Sequence, residues 1–183
     1  MNQKIANELL KVAESLTATR TIADTALVAD TAMVFGYAKV LDKAKVLDKA
    51  KVYGNAMVGG AARVFGKAKV FGYAMVLDKA KVLDNAEVYS KAEVYDKAEV
   101  YGNAIVFGSA MVAGNAQIYG KAEVYGKAEV YDKAEVYGNA IVTGAARVFG
   151  NAKVFGNAMV GGNAVILGGR WDGSEGKITE GNW

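Results

Sequence analysis

A six-residue period constrains the fold of this chain more than any other feature of its sequence. Alanine stands at every sixth position from Ala26 to Ala164, twenty-four times without exception, and Val or Ile follows two residues after each alanine. The unit reads Ala, a variable residue, Val, an aromatic residue or Leu, Gly or Asp, and then Asn or Lys. No insertion or deletion interrupts it between Ile22 and Ile166. A fixed short period of this kind indicates a solenoid, in which each repeat buries its apolar side only against its neighbours.

Each unit contains one short strand and one corner. In the strand, Ala and Val alternate with outward residues, which is the period-two pattern of a strand with one buried face. The corner follows, and Gly and Asn suit it because both tolerate positive φ, whereas Lys in the last position, as in Asp48–Lys49, suits such a backbone less well. Strands this short bury an apolar side only by coiling into a prism of parallel turns, so we predict a β-helix.

The repeat resembles the hexapeptide-repeat family of left-handed parallel β-helices, which carry a large aliphatic residue two positions after a small one every six residues. The resemblance extends over about four-fifths of the chain. It implies a left-handed coil with three strands, or eighteen residues, per turn. The expected fold is therefore an all-β solenoid of about eight three-strand coils, each rising by ~4.8 Å and together by roughly 38 Å, with an α-helical cap at the N-terminus.

Both ends of the chain depart from the repeat. Residues 1–18 place Ile5, Leu9, Val12 and Leu16 on one helical stripe, so we expect an amphipathic helix that caps the first coil and covers its unpaired strand edges. Residues 19–167 form the β-helix. Residues 168–183 contain both tryptophans and several glycines, and we expect them to fold across the last coil as a capping tail.

The residue types that are missing exclude several kinds of chemistry. The chain contains no Cys and no His, so it has no disulfide, no thiolate nucleophile, no His general base and no Ser-His-Asp triad. Acyl transfer from acetyl-CoA, the typical activity of the resembled family, uses a His on a loop that interrupts the coils, and neither feature is present between Ile22 and Ile166. We expect a non-catalytic protein without a cofactor or a metal site, and a hexapeptide-type acyltransferase is the alternative.

Basic residues concentrate in the first half of the repeat. Ten Lys or Arg oppose three Asp from Lys39 to Lys81, whereas eight acidic residues oppose five Lys from Glu87 to Glu135. At eighteen residues per coil the cations of one column stand ~5 Å apart, close to the separation of adjacent phosphates. The predicted site for a small phosphorylated or nucleotide-like ligand consists of Lys45, Arg63 and Lys81 in that column, Phe65 as a stacking ring, and Lys43 and Lys79 as nearby charges. The alternative is that these lysines only keep the rod soluble.

Apolar residues replace charged ones at several outward positions, where they enlarge the exposed apolar surface beside columns of stacked aromatic rings. We predict a homo-oligomer interface there, and the resemblance implies a parallel homotrimer with ligand clefts between subunits. The predicted interface residues are Met33, Met57, Met75, Ile105, Met111, Ile141 and Met159.

Net charge and hydropathy place further limits on partners. The net charge of +3 and the acidic second half argue against duplex DNA, and no apolar run is long enough for a membrane span, so we expect a cytoplasmic protein. Docking of a protein partner and a purely structural solenoid are the other interpretations.

Overall fold

The computed structural model describes residues 19–183, in which three parallel sheets enclose one core. The predicted capping helix in residues 1–18 lies outside the described residues. Residues 19–183 form 27 strands of two residues each. In chain order they are β1 (Thr21–Ile22), β2 (Leu27–Val28), β3 (Met33–Val34), β4 (Lys39–Val40), β5 (Lys45–Val46), β6 (Lys51–Val52), β7 (Met57–Val58), β8 (Arg63–Val64), β9 (Lys69–Val70), β10 (Met75–Val76), β11 (Lys81–Val82), β12 (Glu87–Val88), β13 (Glu93–Val94), β14 (Glu99–Val100), β15 (Ile105–Val106), β16 (Met111–Val112), β17 (Gln117–Ile118), β18 (Glu123–Val124), β19 (Glu129–Val130), β20 (Glu135–Val136), β21 (Ile141–Val142), β22 (Arg147–Val148), β23 (Lys153–Val154), β24 (Met159–Val160), β25 (Val165–Ile166), β26 (Arg170–Trp171) and β27 (Lys177–Ile178).

Successive strands belong to three different sheets, which we call A, B and C in the order in which the chain visits them. Sheet A begins with β1, sheet B with β2 and sheet C with β3, and each contains nine strands. Every strand from β1 to β24 pairs in parallel with the strand three places later, as in the registers Met57↔Met75 and Val76↔Val94. The predicted parallel β-helix with three strands per coil is confirmed. The left-handed sense of the coil stays a prediction.

The described part of the solenoid has nine coils rather than about eight. The repeat supplies the strands from β2 to β25, and three more come from outside it: β1 before the first unit, and β26 and β27 in the tail. The tail does not fold across the last coil but pairs with it in register, through Val154↔Trp171 and Val160↔Ile178, and Asn182 adds a bridge to Val165. The backbone of the last repeat coil thereby finds hydrogen-bond partners in the ninth coil.

Alanine and valine fill the interior. From Ala38 to Ile166 the inward Ala, Val and Ile side chains of the repeat are at most 2% exposed. The inward assignment of the Ala and Val columns is confirmed. Because the described part of the chain buries no polar or charged side chain, its interior has no unpaired group that would favour a different packing.

The left-handed corner residue is the fifth of the unit and not the sixth. In every unit from Gly36 to Gly162 the fifth residue is Gly, Asp or Ser and has positive φ. The sixth residue, usually Asn or Lys, never has positive φ in these units. The expectation that Lys suits the corner less well is therefore wrong, because Lys occupies a position without positive φ. The six aspartates of the fifth position that have positive φ each accept a hydrogen bond from the backbone N–H one coil later; for Asp42 and Gly60 the distance from Oδ2 to N is 2.9 Å.

The connections between strands are short and uniform. From β1 to β25 each has four residues, and the two connections in the tail have three and five. Across the coils, backbone N–H groups donate to carbonyl oxygens seventeen residues later, as in Met57 to Ala74 at 2.9 Å. None of the described residues forms a helix long and apolar enough to cross a membrane.

Candidate functional site

The strand register brings the predicted basic column together. Lys45, Arg63 and Lys81 occupy the same position on adjacent strands of sheet B, with the pairings Lys45↔Arg63 and Arg63↔Lys81. Lys43 and Lys79 lie on the adjoining edge of the prism, where the chain turns from sheet A to sheet B. We call this edge corner AB, and name corners BC and CA in the same way. Lys43 and Lys79 are two coils apart in this corner, because Ala61 occupies the coil between them.

Two members of the predicted site already have partners. The ammonium group of Lys81 lies 2.7 Å from Glu99 Oε1, one coil further along sheet B. The guanidinium carbon of Arg63 lies 5.6 Å from the centroid of the Phe65 ring, so this ring already carries a cation on its face. Lys45 has no ion pair within residues 19–183. The column thus offers two cations, Lys45 and Arg63, that are not tied to a carboxylate.

An open groove lies at corner AB next to this column. Its cavity is about 430 Å³ and is lined by Asp78, Lys79, Asp96, Lys97, Gly114 and Asn115. A second depression of about 340 Å³ continues it onto sheet B, and its lining residues are Lys79, Lys81, Lys97, Glu99, Asn115 and Gln117. Lys79, Lys97 and Asn115 line both. We refer to the two together as the AB groove.

Sequence reasoning included Lys79 and Lys81 but missed Lys97, Asn115 and Gln117. Numbering the coils from the N-terminal end, the AB groove spans coils 4 to 6, one coil or more beyond the centre of the predicted site. A signal for it exists in the sequence, because the corner column changes from Lys79 and Lys97 to the shorter Asn115. A short residue above two long ones leaves a depression that a uniform lysine column would fill.

The aromatic residues after the buried valines stack as predicted. In sheet C the rings of Phe35, Tyr53, Phe71, Tyr89, Phe107 and Tyr125 form one ladder with centroid spacings of 4.7–5.1 Å. A second ladder in sheet B joins Tyr101, Tyr119, Tyr137 and Phe155. Inside each ladder both faces of a ring are used by its neighbours, so the rings stabilise the coil rather than offer free stacking surfaces.

Phenol groups of the sheet B ladder reach the outward residue of the next coil. The hydroxyl of Tyr101 donates to Gln117 Oε1 at 3.3 Å, and that of Tyr119 donates to Glu135 Oε2 at 3.1 Å. Burial raises the pKa of Tyr119, and the hydrogen bond to Glu135 raises it further. Burial likewise raises the pKa of Tyr101. Both phenols are therefore neutral hydrogen-bond donors at neutral pH, and the Tyr101 hydroxyl engages the carbonyl oxygen of Gln117 rather than its amide nitrogen.

The predicted interface residues divide between two sheets. Met57, Met75 and Met111 lie in sheet A, and the other four, Met33, Ile105, Ile141 and Met159, lie in sheet C. Sheets A and C meet at corner CA, where Tyr37 and Tyr73 are 61% and 64% exposed, more than any other large apolar or aromatic side chain of the described residues. The same outward position in sheet B is charged or polar from Lys45 to Arg170.

Comparison with known proteins identifies the coil alone. A family model described as the YdcK β-solenoid repeat matches residues 98–114 and 134–150. Both matches begin at the alanine before a sheet B strand and end at corner AB, so each covers nearly one coil. No curated protein and no solved structure matches the chain. The chain is thus similar, over two coil-length segments, to proteins built from this β-solenoid repeat.

Proposed function

We propose that this protein is a non-catalytic binding protein that holds a small phosphorylated or nucleotide-like ligand at corner AB and the adjoining part of sheet B. The observation that carries the proposal is the strand register, which places Lys45, Arg63 and Lys81 on three successive coils beside the corner lysines. Strands in this register hold the cations ~5 Å apart on a rigid backbone, which reduces the entropy lost when an anion binds.

The resemblance to hexapeptide-repeat acyltransferases supports the coil and gives no support to their reaction. Their general base is a His on an inserted loop, and this chain has no His. The described strands are joined by connections of only three to five residues, which leave no room for such a loop. Binding without transfer is therefore the function that we assign.

Calorimetric titration tests the binding. We expect ADP to bind the purified protein with an affinity that falls as salt is raised, because the contacts are ionic. Arg63→Glu should weaken binding by about tenfold or more, since it removes a charge-assisted hydrogen bond and adds repulsion. Lys133→Glu makes the same charge change at corner AB of coil 7 and should leave the affinity within about twofold of the parent. Absence of heat with ribose 5-phosphate and with mono-, di- and cyclic nucleotides would refute the proposal.

We also propose that the protein assembles as a parallel homotrimer through sheets A and C. Apolar outward residues recur on these two adjacent faces, whereas the same position in sheet B is charged or polar from Lys45 to Arg170. An isologous pair needs only one face of each copy, whereas a ring pairs sheet A of one copy with sheet C of the next and so uses both. Corner CA, with Tyr37 and Tyr73, then points towards the ring axis. Corner AB lies at the mouth of each cleft between neighbours, where the ligand would be partly shielded from water.

Native mass spectrometry and light scattering test the assembly. The parent should give three times 19.2 kDa. The double variant Ile105→Lys with Met111→Lys changes one residue on each side of corner CA. It should shift the mass to that of the monomer, because two ammonium groups would be buried in the contact. The control pair Asn85→Lys with Asn103→Lys adds the same charge at corner BC and should stay trimeric. A parent that is monomeric at micromolar concentration would contradict the assembly.

A further inference from the structure

We infer that the AB groove of coils 4 to 6 is a site for a sugar phosphate, with Lys79 and Lys97 on the phosphate and Asp78 and Asp96 on the sugar hydroxyls. This inference rests on the proposed function and places that ligand in the groove, which includes Lys81 and lies next to Arg63 on the adjacent strand of sheet B. The groove combines cations, carboxylates and amides in one cavity of about 430 Å³. That volume falls within the range of small-molecule sites.

The two lysines provide the phosphate contact. Lys79 and Lys97 are one coil apart at corner AB and both line the two depressions. Within residues 19–183 neither ammonium group lies in an ion pair, in contrast to the neighbouring Lys81, which is paired with Glu99. Two like charges at this spacing repel each other, and a phosphate between them would turn that repulsion into two charge-assisted hydrogen bonds.

The two aspartates provide acceptors for hydroxyl groups. Their positive φ places them in the corner itself, directly before the two lysines. Asp96 Oδ2 accepts the backbone N–H of Gly114 at 3.0 Å, and Asp78 Oδ2 accepts that of Asp96 at 3.3 Å. In each carboxylate the second oxygen takes no hydrogen bond from the described residues. These two oxygens, one from each aspartate, are therefore available to accept hydrogen bonds from a vicinal pair of sugar hydroxyls.

The amides at the far end of the groove complete the set of donors. Asn115 lies one coil after Lys97 in corner AB, and Gln117 lies one coil after Glu99 in sheet B. The carbonyl oxygen of Gln117 accepts from the Tyr101 hydroxyl, and the Gln117 amide N–H groups have no hydrogen-bond partner among residues 19–183. They can reach a phosphate ester or ring oxygen that lies along the groove.

This mixture of charges favours a sugar phosphate over a bare phosphate ion. The groove, counted over both depressions, contains three lysines and three carboxylates, so its formal charge is balanced. A bare anion gains from the lysines but is repelled by Asp78 and Asp96. A sugar phosphate places its anionic end at the ammonium groups and its hydroxyl donors at the carboxylates, so both kinds of group contribute to binding.

The test is a calorimetric titration of the parent with ribose 5-phosphate, ribose and inorganic phosphate. We expect ribose 5-phosphate to bind at least about tenfold more tightly than either of the others, since only it uses both halves of the groove. Lys97→Gln should weaken its binding about tenfold, and Asp96→Asn, which keeps a residue that tolerates positive φ, should do the same. Asp96→Asn should leave inorganic phosphate binding unchanged or tighter.

Lys133→Gln, in the same corner two coils beyond Lys97, is the matched control and should bind ribose 5-phosphate like the parent. Circular dichroism of each variant confirms that the coils are intact. Binding that responds to Arg63→Glu but not to Lys97→Gln would overturn the groove and leave the proposed function standing. If neither ribose 5-phosphate nor any nucleotide binds, both fail. Equal affinity for inorganic phosphate and ribose 5-phosphate would overturn the role of the aspartates.

Discussion

The Val100→Asp variant is expected to lose cooperative folding at room temperature. Val100 is fully buried in the middle of sheet B, between Val82 and Ile118 on the neighbouring coils. A carboxylate there has no hydrogen-bond donor apart from backbone groups that are already paired. Such a substitution lowers the free energy of unfolding by about 3–5 kcal/mol or more, which is a large part of the ~5–15 kcal/mol that stabilises a typical domain.

Urea and thermal denaturation followed by circular dichroism measure this effect. Asn103→Asp is the matched control, because it introduces the same side chain at an exposed corner three residues away. The control should melt within a few degrees of the parent. A Val100→Asp variant that melts with the control would show that Val100 does not face the core.

Gly120→Val is expected to be strongly destabilising for a different reason. Gly120 has φ +73°, and a Cβ atom there would lie 2.9 Å from the backbone N of Gly138 on the next coil. A β-branched residue is strained in this conformation, and the contact would push two coils apart. We expect a loss of about 2–4 kcal/mol in the free energy of unfolding.

Gly120→Asp separates the conformational effect from simple crowding. Asp132 occupies the same fifth position of its own unit, at corner AB, with φ 61°. Its Oδ2 accepts the N–H of Gly150 at 3.2 Å. An Asp at position 120 can accept the N–H of Gly138 in the same way, so it should destabilise the protein much less than Val. Equal losses for the two variants in urea denaturation would argue against the role assigned to the corner.

The core could be predicted from sequence because the six-residue period allows only one assignment of inward and outward residues. With Ala and Val at fixed positions in every unit, a shift by one residue would expose all of them, so columns such as Val82, Val100 and Ile118 follow directly. The outward columns follow from the same count once eighteen residues per coil are accepted. The register of Lys45, Arg63 and Lys81 was therefore predictable, and so was the ring ladder of sheet C.

The corner and the tail were harder to predict for reasons of local geometry. Gly and Asn both tolerate positive φ, so composition alone could not decide which of the two corner positions carries it. The tail contains neither the Ala spacing nor the four-residue connection, yet Trp171 takes a place in register with Val154. Pairing there is enforced by the unpaired edge of the eighth coil, which no local sequence pattern reports.

The AB groove was harder to predict than the core because it depends on side-chain lengths and pairings between coils. Whether Lys81 is free to bind a ligand depends on Glu99, eighteen residues away, and whether Phe65 is free depends on Arg63. The three ion pairs of the described residues all join neighbours at this spacing, as Lys69 and Glu87 do at 2.7 Å. Searching for opposite charges eighteen residues apart would have found them once the coil length was known.

The uniform four-residue connections have a consequence for how such a gene can change its length. Deletion of residues 98–115 would remove eighteen residues and leave every downstream residue on its own sheet. Deletion of residues 98–103 alone would keep the coil closed but move Ile105 from sheet C to sheet B and Met111 from sheet A to sheet C. Gain or loss of one six-residue unit therefore keeps the Ala and Val residues in the core but moves every downstream outward residue to a different sheet. Only gain or loss of three units preserves both the core and the sheet on which each outward residue lies.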